Sequence, residues 1–164
     1  LGLHCLSGAF MFDPVSVPGS SETAAQIVWR DAFLTNVDRT VKNTNMLTWH
    51  KELWLIDHGA SLYFHHSWRN WEKHALNPFQ MIKDHVLLPY AAELESVDKE
   101  FTEILTPDKI IDIVNQLPDD WLHWTNENES ADDIRNIYKN FLIQRLNNSD
   151  LFIKEAQNAR KVLI

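Results

Sequence analysis

Residues 36–59 read Asn36-Val37-Asp38-Arg39-Thr40-Val41-Lys42-Asn43-Thr44-Asn45-Met46-Leu47-Thr48-Trp49-His50-Lys51-Glu52-Leu53-Trp54-Leu55-Ile56-Asp57-His58-Gly59. Met46–Trp49 and Leu53–Ile56 are short apolar runs on either side of the polar link His50-Lys51-Glu52, a pattern that predicts a β-hairpin. Asn36–Asn45 ahead of it is polar and ill-suited to regular structure, and Asp57-His58-Gly59 closes it. Asp38 and Asn43 stand five positions apart on the loop before the hairpin, and Asp57 stands nineteen residues after Asp38, at the hairpin's far end. A hairpin turns the chain back on itself, so Asp38, Asn43 and Asp57 are expected to converge on one exposed cleft edge.

Those residue types suit phosphoryl transfer from a nucleotide. One carboxylate must orient the attacking hydroxyl, and an amide oxygen with a second carboxylate must hold Mg²⁺ on the phosphates. Oxygen ligands suit that hard cation. Asp38 is the candidate for the first role, and Asn43 and Asp57 are the candidate metal ligands. Asn45 is an alternative ligand, with Asn43 favoured on spacing. Arg39 joins the candidate catalytic set, with the expected role of positioning the loop by an ion pair. Asn36 is a further cofactor-binding candidate, although a hydrogen bond to backbone is its simpler use.

The stretch resembles the kinase superfold, whose catalytic loop carries Asp, four residues and Asn, and whose metal-binding Asp precedes an aromatic and Gly. Asp57-His58-Gly59 is similar to that metal motif, with His in the aromatic's place. The Asp-Arg pair and the Ile-Asp start of the metal motif also resemble phosphoinositide kinases. The chain is identified more specifically as resembling the HipA-like kinase family, on Asn36-Val37-Asp38-Arg39 with Asn43, on Ile56-Asp57-His58-Gly59, on Ala60–His66 and on His85–Pro89. The resemblance spans roughly Leu1 to Arg160 and is specific between Asn36 and His66. Thr40 stands where many such sequences carry His two places after the catalytic Asp. The resemblance implies a mainly α fold, a protein-kinase-like C-terminal lobe with a small β-hairpin, covering residues 1–164. It also implies ATP and Mg²⁺ as cofactors and transfer of the γ-phosphoryl group to a hydroxyl of a protein or small molecule. His58, replacing the usual aromatic, is expected to be largely buried and packed or hydrogen-bonded.

Such kinases clasp ATP under an upper lobe with a flexible phosphate-covering loop and a strand Lys. The four glycines here, Gly2, Gly8, Gly19 and Gly59, cannot assemble that loop. The upper lobe is therefore expected to come from preceding sequence or from another chain, or to be absent, and the chain alone is expected to be inactive. It opens on Leu1 rather than Met, which reads as part of a longer protein.

Outward from this stretch, Leu1–Gly19 reads as an opening loop or short strand. Ser20 or Ser21 is expected to cap a helix carrying Ala24, Ile27, Val28 and Leu34 on one face and ending near Thr35. The remainder reads mostly helical. Pro78 and Pro89 punctuate residues 68–95, and Val97, Phe101 and Ile104 mark a short amphipathic helix. Thr106-Pro107 opens another helix, and Ser130 with Asp133 opens the longest. Asp150 is expected to cap a last helix running to Leu163. Residues 125–129 read as a polar linker within the one domain.

Composition narrows the classes. At 164 residues and 45% hydrophobic content, the chain suits one domain with its own core. A net charge of −8 argues against a nucleic-acid grip, which needs a basic face. The single Cys5 allows no intrachain disulfide, and no apolar run predicts a membrane span or secretory signal, so the expected setting is cytoplasmic. Two rivals remain: a non-catalytic kinase-like binding module, and a His-rich helical metalloprotein built on His58, His65 and His66 with His50 and His74 nearby.

Overall fold

The computed structural model of this chain describes residues 6–13, 20–122 and 129–164. Cys5, the Pro18-Gly19 end of the opening loop and all of the expected 125–129 linker except Glu129 lie outside the described residues. The architecture is mainly helical with one small antiparallel sheet. Among the described residues, no helix is long and apolar enough to cross a membrane.

The sheet has three strands in the order β1 (Phe10–Met11), β2 (Met46–Trp49) and β3 (Glu52–Leu55). Met46 pairs with Leu55 and Trp49 with Glu52, so the hairpin link is two residues rather than the expected three. His50 and Lys51 both take positive φ, 52° and 69°. Positive φ at both central residues is the twist that lets a two-residue link continue a right-handed pair of strands. Glu52 is thereby drawn into β3 and Ile56 falls outside it. Met46 and Thr48 face the interior, while Trp49 and Trp54 meet edge-on at 5.4 Å.

Helix α1 (Ser21–Phe33) is the centre of the fold. Ser20 caps it, accepting the Thr23 N–H with its hydroxyl. Ala24, Ala25, Ile27, Val28, Trp29, Ala32 and Phe33 are all buried. Trp29 stacks on Phe33 at 5.1 Å and meets Phe101 of α3 (Leu94–Ile104) and Phe152 of α6 (Ser149–Leu163) edge-on at 5.0 and 5.7 Å. Its indole N–H donates to Asp98 at 2.7 Å, and the same carboxylate accepts from Ser149 at 3.1 Å. One aromatic side chain therefore fixes three helices, and its polar edge is satisfied where it is buried.

The helix end is equally well determined. Thr35 takes a left-handed conformation (φ 51°) just beyond the C-cap Leu34. Asn36 N–H bonds Asp31 C=O at 2.8 Å and Thr35 N–H bonds Ala32 C=O at 3.3 Å, the two bonds of a Schellman stop. A β-branched residue is unfavourable there. Thr35 is held by the Tyr63 N–H, which donates to its hydroxyl at 3.0 Å.

Between the hairpin and α3 the chain departs from the helical expectation. It forms 3-10 turns over Tyr63–Asn70, Gln80–Asp84 and Leu88–Tyr90, with only the short α2 (Trp71–Ala75) between them. Left-handed Leu62 and Phe79 (φ 57° and 62°) set the chain into two of these turns, and Pro89 lies within the third. Thr106 caps α4 (Pro107–Asn115) and Ser130 forms a capping box with Asp133 at α5 (Ala131–Asn147), both as expected. Asp150 does not cap α6. Asn148 holds that position without a side-chain bond, and Asp150 lies in the first turn, paired with Lys154 at 2.8 Å.

Arg145 of α5 is 1% exposed and crosses to the end of α1. It donates to the carbonyls of Ala32 (2.7 Å), Phe33 (2.8 Å), Asn77 (3.0 Å) and Ala75 (3.2 Å). Burial pulls its pKa down to about 9, which still leaves it charged at neutral pH, where it complements the negative end of α1. Replacing it strands several buried carbonyls at once. Arg145→Met is expected to lower the unfolding free energy by about 3 kcal/mol or more in urea denaturation. A loss under about 1 kcal/mol would show that these bonds do not hold α1 in place.

Candidate functional site

The loop between α1 and β2 carries the sequence-predicted residues. Its turn is closed by two backbone bonds between Thr40 and Asn43, at 2.9 and 3.2 Å. This brings the exposed Asn43 beside Asp38, and the Asn43 amide donates to Asp38 Oδ2 at 2.8 Å. The buried Asn45 amide donates to the same oxygen at 3.0 Å and to Asp38 C=O at 3.0 Å. Asn45 is thus engaged in fixing Asp38. The other carboxylate oxygen of Asp38 has no protein partner among the described residues, and neither does the Asn43 side-chain carbonyl.

Asp57 lies on the neighbouring loop after β3, in a left-handed conformation (φ 49°) that Asp tolerates better than most residues. It is exposed, and one carboxylate oxygen accepts the Gly59 N–H at 3.3 Å. It makes no direct hydrogen bond to Asp38 or Asn43. The two loops are nevertheless joined at three points. Ile56 N–H donates to Asn45 C=O at 3.0 Å, Val37 N–H donates to Ala60 C=O at 3.4 Å, and Arg39 reaches His58 Nδ1 at 3.4 Å. Asp38 and Asp57 therefore lie on strapped neighbouring loops.

Two of the candidates face inward. Arg39 is 1% exposed. Its Nε lies 2.5 Å from Asp31 Oδ2 and its guanidinium also donates to Asn45 C=O. Arg39 is a positioning residue whose buried guanidinium has no access to a substrate. Asn36 is 3% exposed, with its amide donating to Asp31 Oδ1 at 3.2 Å and its carbonyl accepting the Asp38 N–H at 3.2 Å. The cofactor contact expected for Asn36 is corrected on the same ground, because both ends of its side chain are occupied beneath the loop.

Beneath both loops lies a residue that the sequence did not single out. Asp31 on α1 is fully buried and takes donors from Arg30 (3.3 Å), Asn36, Arg39 and His85 Nε2 (3.1 Å). Burial works to raise its pKa, but the bonds and charge of its partners outweigh burial and hold it below the ordinary carboxylate value. His85 Nδ1 accepts the Leu87 N–H at 3.1 Å, so the proton must sit on Nε2, facing Asp31, and the ring is neutral. Burial lowers the His85 pKa, in agreement with that tautomer. The His85 segment also clamps the loop from outside, through the Thr40–His85 bridge and the Val86 N–H to Arg39 C=O bond at 3.0 Å. The only hint in the sequence was His85 within the His85–Pro89 resemblance.

His58 is hydrogen-bonded as expected but departs from the expected burial. It is exposed and sits over two guanidinium groups, with Arg30 and Arg39 each 3.4 Å from Nδ1. Partial burial, then Arg30 and Arg39, lower its pKa, which keeps Nδ1 an acceptor. The described histidines do not gather into a metal centre. His65 packs against the rings of Phe64, Trp68 and Tyr138, and His66 lies beside Tyr63. Among the described residues, no group of three His, Cys, Asp or Glu is arranged to hold a metal ion.

Comparison with known proteins returned no matching family model, curated protein or solved structure.

Buried His85 and half-buried His65 set a pH dependence. Burial lowers His65 to about 4 and lowers His85 also, from an ordinary value of 6.5. Below about pH 6.5 the unfolded chain binds protons that the folded chain refuses, so stability falls with pH towards 4. Asp31, whose folded value is lowered, adds its loss at still lower pH. Urea midpoints at pH 7.5, 6 and 5 are expected to fall in that order, and His85→Gln should flatten part of the slope. A midpoint constant or rising towards pH 5 would contradict the assignment of neutral, buried rings.

Proposed function

We propose that this chain is the C-terminal lobe of a kinase-type phosphotransferase of the HipA-like kind, moving the γ-phosphoryl group of ATP to a hydroxyl. The observation that carries the reading is the strapping of the Asp38–Asn43 loop to the Asp57 loop. It leaves a carboxylate oxygen of Asp38, the Asn43 carbonyl and Asp57 free of protein partners beyond the Gly59 N–H.

The donor set fits magnesium. Asn43 spends its amide N–H on Asp38, which leaves its oxygen outward, and Asp57 is an exposed carboxylate. Two protein oxygens are what Mg²⁺ takes when it keeps waters and phosphate oxygens as its other ligands. When bound, the cation would neutralise phosphate charge.

Asp38 would then receive the acceptor. Its Oδ2 is held by Asn43 and Asn45, so the remaining oxygen accepts the hydrogen bond of the incoming hydroxyl and orients it. In the transfer, the hydroxyl oxygen bonds the γ-phosphorus while the bond from phosphorus to the β–γ bridging oxygen breaks. ADP leaves and the hydroxyl proton passes to Asp38. Arg39 and Asn36 contribute by holding the loop, and much of the catalysis in this class is such positioning.

A binding module of the same shape without turnover is favoured by one sequence feature: the four glycines cannot supply a phosphate-covering loop and strand Lys. Turnover separates the two readings. By calorimetry, this chain is expected to bind ATP weakly and only with Mg²⁺, because Asp38 and Asp57 repel the bare triphosphate. Asp57→Ala should abolish binding and Asp38→Ala should largely spare it. In a longer chain carrying an upper lobe, Asp38→Ala should remove turnover. Tight binding without Mg²⁺, or binding indifferent to Asp57→Ala, would sink the proposal.

A further inference from the structure

A cavity of about 450 Å³ opens between the turn over residues 40–42 and the segment over residues 83–86. Thr40, Val41 and Lys42 of that turn form one wall, and Lys83 and Asp84 face them. The turn cannot drift from the opposite wall, because Thr40 bridges His85 and Val86 N–H bonds Arg39 C=O.

The lining has a definite chemistry. Lys42 and Lys83 are exposed and have no ion pair or side-chain hydrogen bond among the described residues, and the same holds for Asp84. The lining is therefore locally positive by one charge, on a chain whose net charge is −8. Val41 is 77% exposed at the tip of the turn, where nothing in the fold requires an apolar residue, and Val86 and Leu163 continue the apolar surface. The volume lies within the range of small-molecule sites. The overall charge selects for size. A polyanionic macromolecule would feel the net negative field, whereas a small monoanion feels mainly the lysines within a Debye length of about 8–10 Å.

We propose that this cavity is a binding site for a small organic monoanion with an apolar body. Its carboxylate meets Lys42 and Lys83, and its body lies on Val41, Val86 and Leu163. Asp84 disfavours more highly charged anions by repulsion. The binding does not rest on the phosphotransferase reading.

Amide NMR titrations of this chain with 4-(hydroxymethyl)benzoate and its neutral analogue 4-(hydroxymethyl)benzamide test the assignment. The benzoate is expected to shift the amides of residues 40–42 and 83–86 and to bind at least about fivefold more tightly than the benzamide. Lys42→Ala or Lys83→Ala should each weaken the benzoate by about tenfold, the worth of one charge-assisted hydrogen bond, and Asp84→Asn should strengthen it. Both lysines are exposed, so the variants are expected to fold, and an unchanged urea midpoint checks this. No shift at these amides, or equal binding of the two probes, would overturn the proposal. So would a Ser-containing acidic peptide that binds there when the benzoate does not. Mg²⁺–ATP titrated separately distinguishes the two levels. Benzoate binding without nucleotide binding leaves the cavity site standing and removes the kinase reading, and the reverse removes only the cavity site.

Discussion

One ionised carboxylate, Asp31, is kept in the interior, and the candidate site is assembled around it. A buried charge is tolerated only when donors surround it. Asp31 obtains them from α1 itself through Arg30, from the loop through Asn36 and Arg39, and from the distant segment at His85. Each donor's segment is thereby pinned to α1. Arg39 then extends the chain of contacts to Asn45 C=O and to His58, the neighbour of Asp57. A single side chain on a central helix thus sets the relative placement of two loops whose outer faces carry the candidate residues.

The platform beneath Asp31 is rigid for reasons that can be named. Trp29 locks α1 to α3 and α6, and Arg145 ties its last turn to α5 and the segment after α2. The Schellman stop at Thr35 then aims the chain into the loop. Left-handed residues recur where the site is framed: Thr35 before the loop, Asn45 at its end and Asp57 beyond the hairpin. Such conformations are costly for residues other than glycine and persist only where surrounding bonds over-determine them. Here the bonds are Tyr63 N–H to Thr35 and Ile56 N–H to Asn45 C=O.

Much of this was legible in the sequence because it depends on local pattern. The hairpin followed from two apolar runs, α1 and α5 from their caps and periodicity, and the nearness of Asp38 to Asn43 from their spacing on a loop. What escaped depends on tertiary placement. Asp31 lies in an amphipathic helix, where a lone Asp ordinarily marks the solvent face. His85 is 54 residues away from it in sequence. Arg39 makes the expected ion pair and Asn36 the expected backbone hydrogen bond, but their shared partner, the buried Asp31, could not be read from the sequence. The burial of His58 was misjudged because an aromatic position in a motif suggests packing, whereas the two arginines give it a polar seat at the surface. The hairpin register moved by one residue because His50 and Lys51 accept a conformation that composition does not advertise.

The central claim is that the Asp38–Asn43 loop and the Asp57 loop form one magnesium–nucleotide site. The most direct test is paramagnetic broadening of amide NMR signals by Mn²⁺ with ATP, Mn²⁺ standing in for magnesium. The account predicts that residues 38–45 and 57–59 broaden together, and that Asp57→Asn removes both effects. Broadening centred on the 63–74 histidines, or confined to one of the two loops, would contradict it.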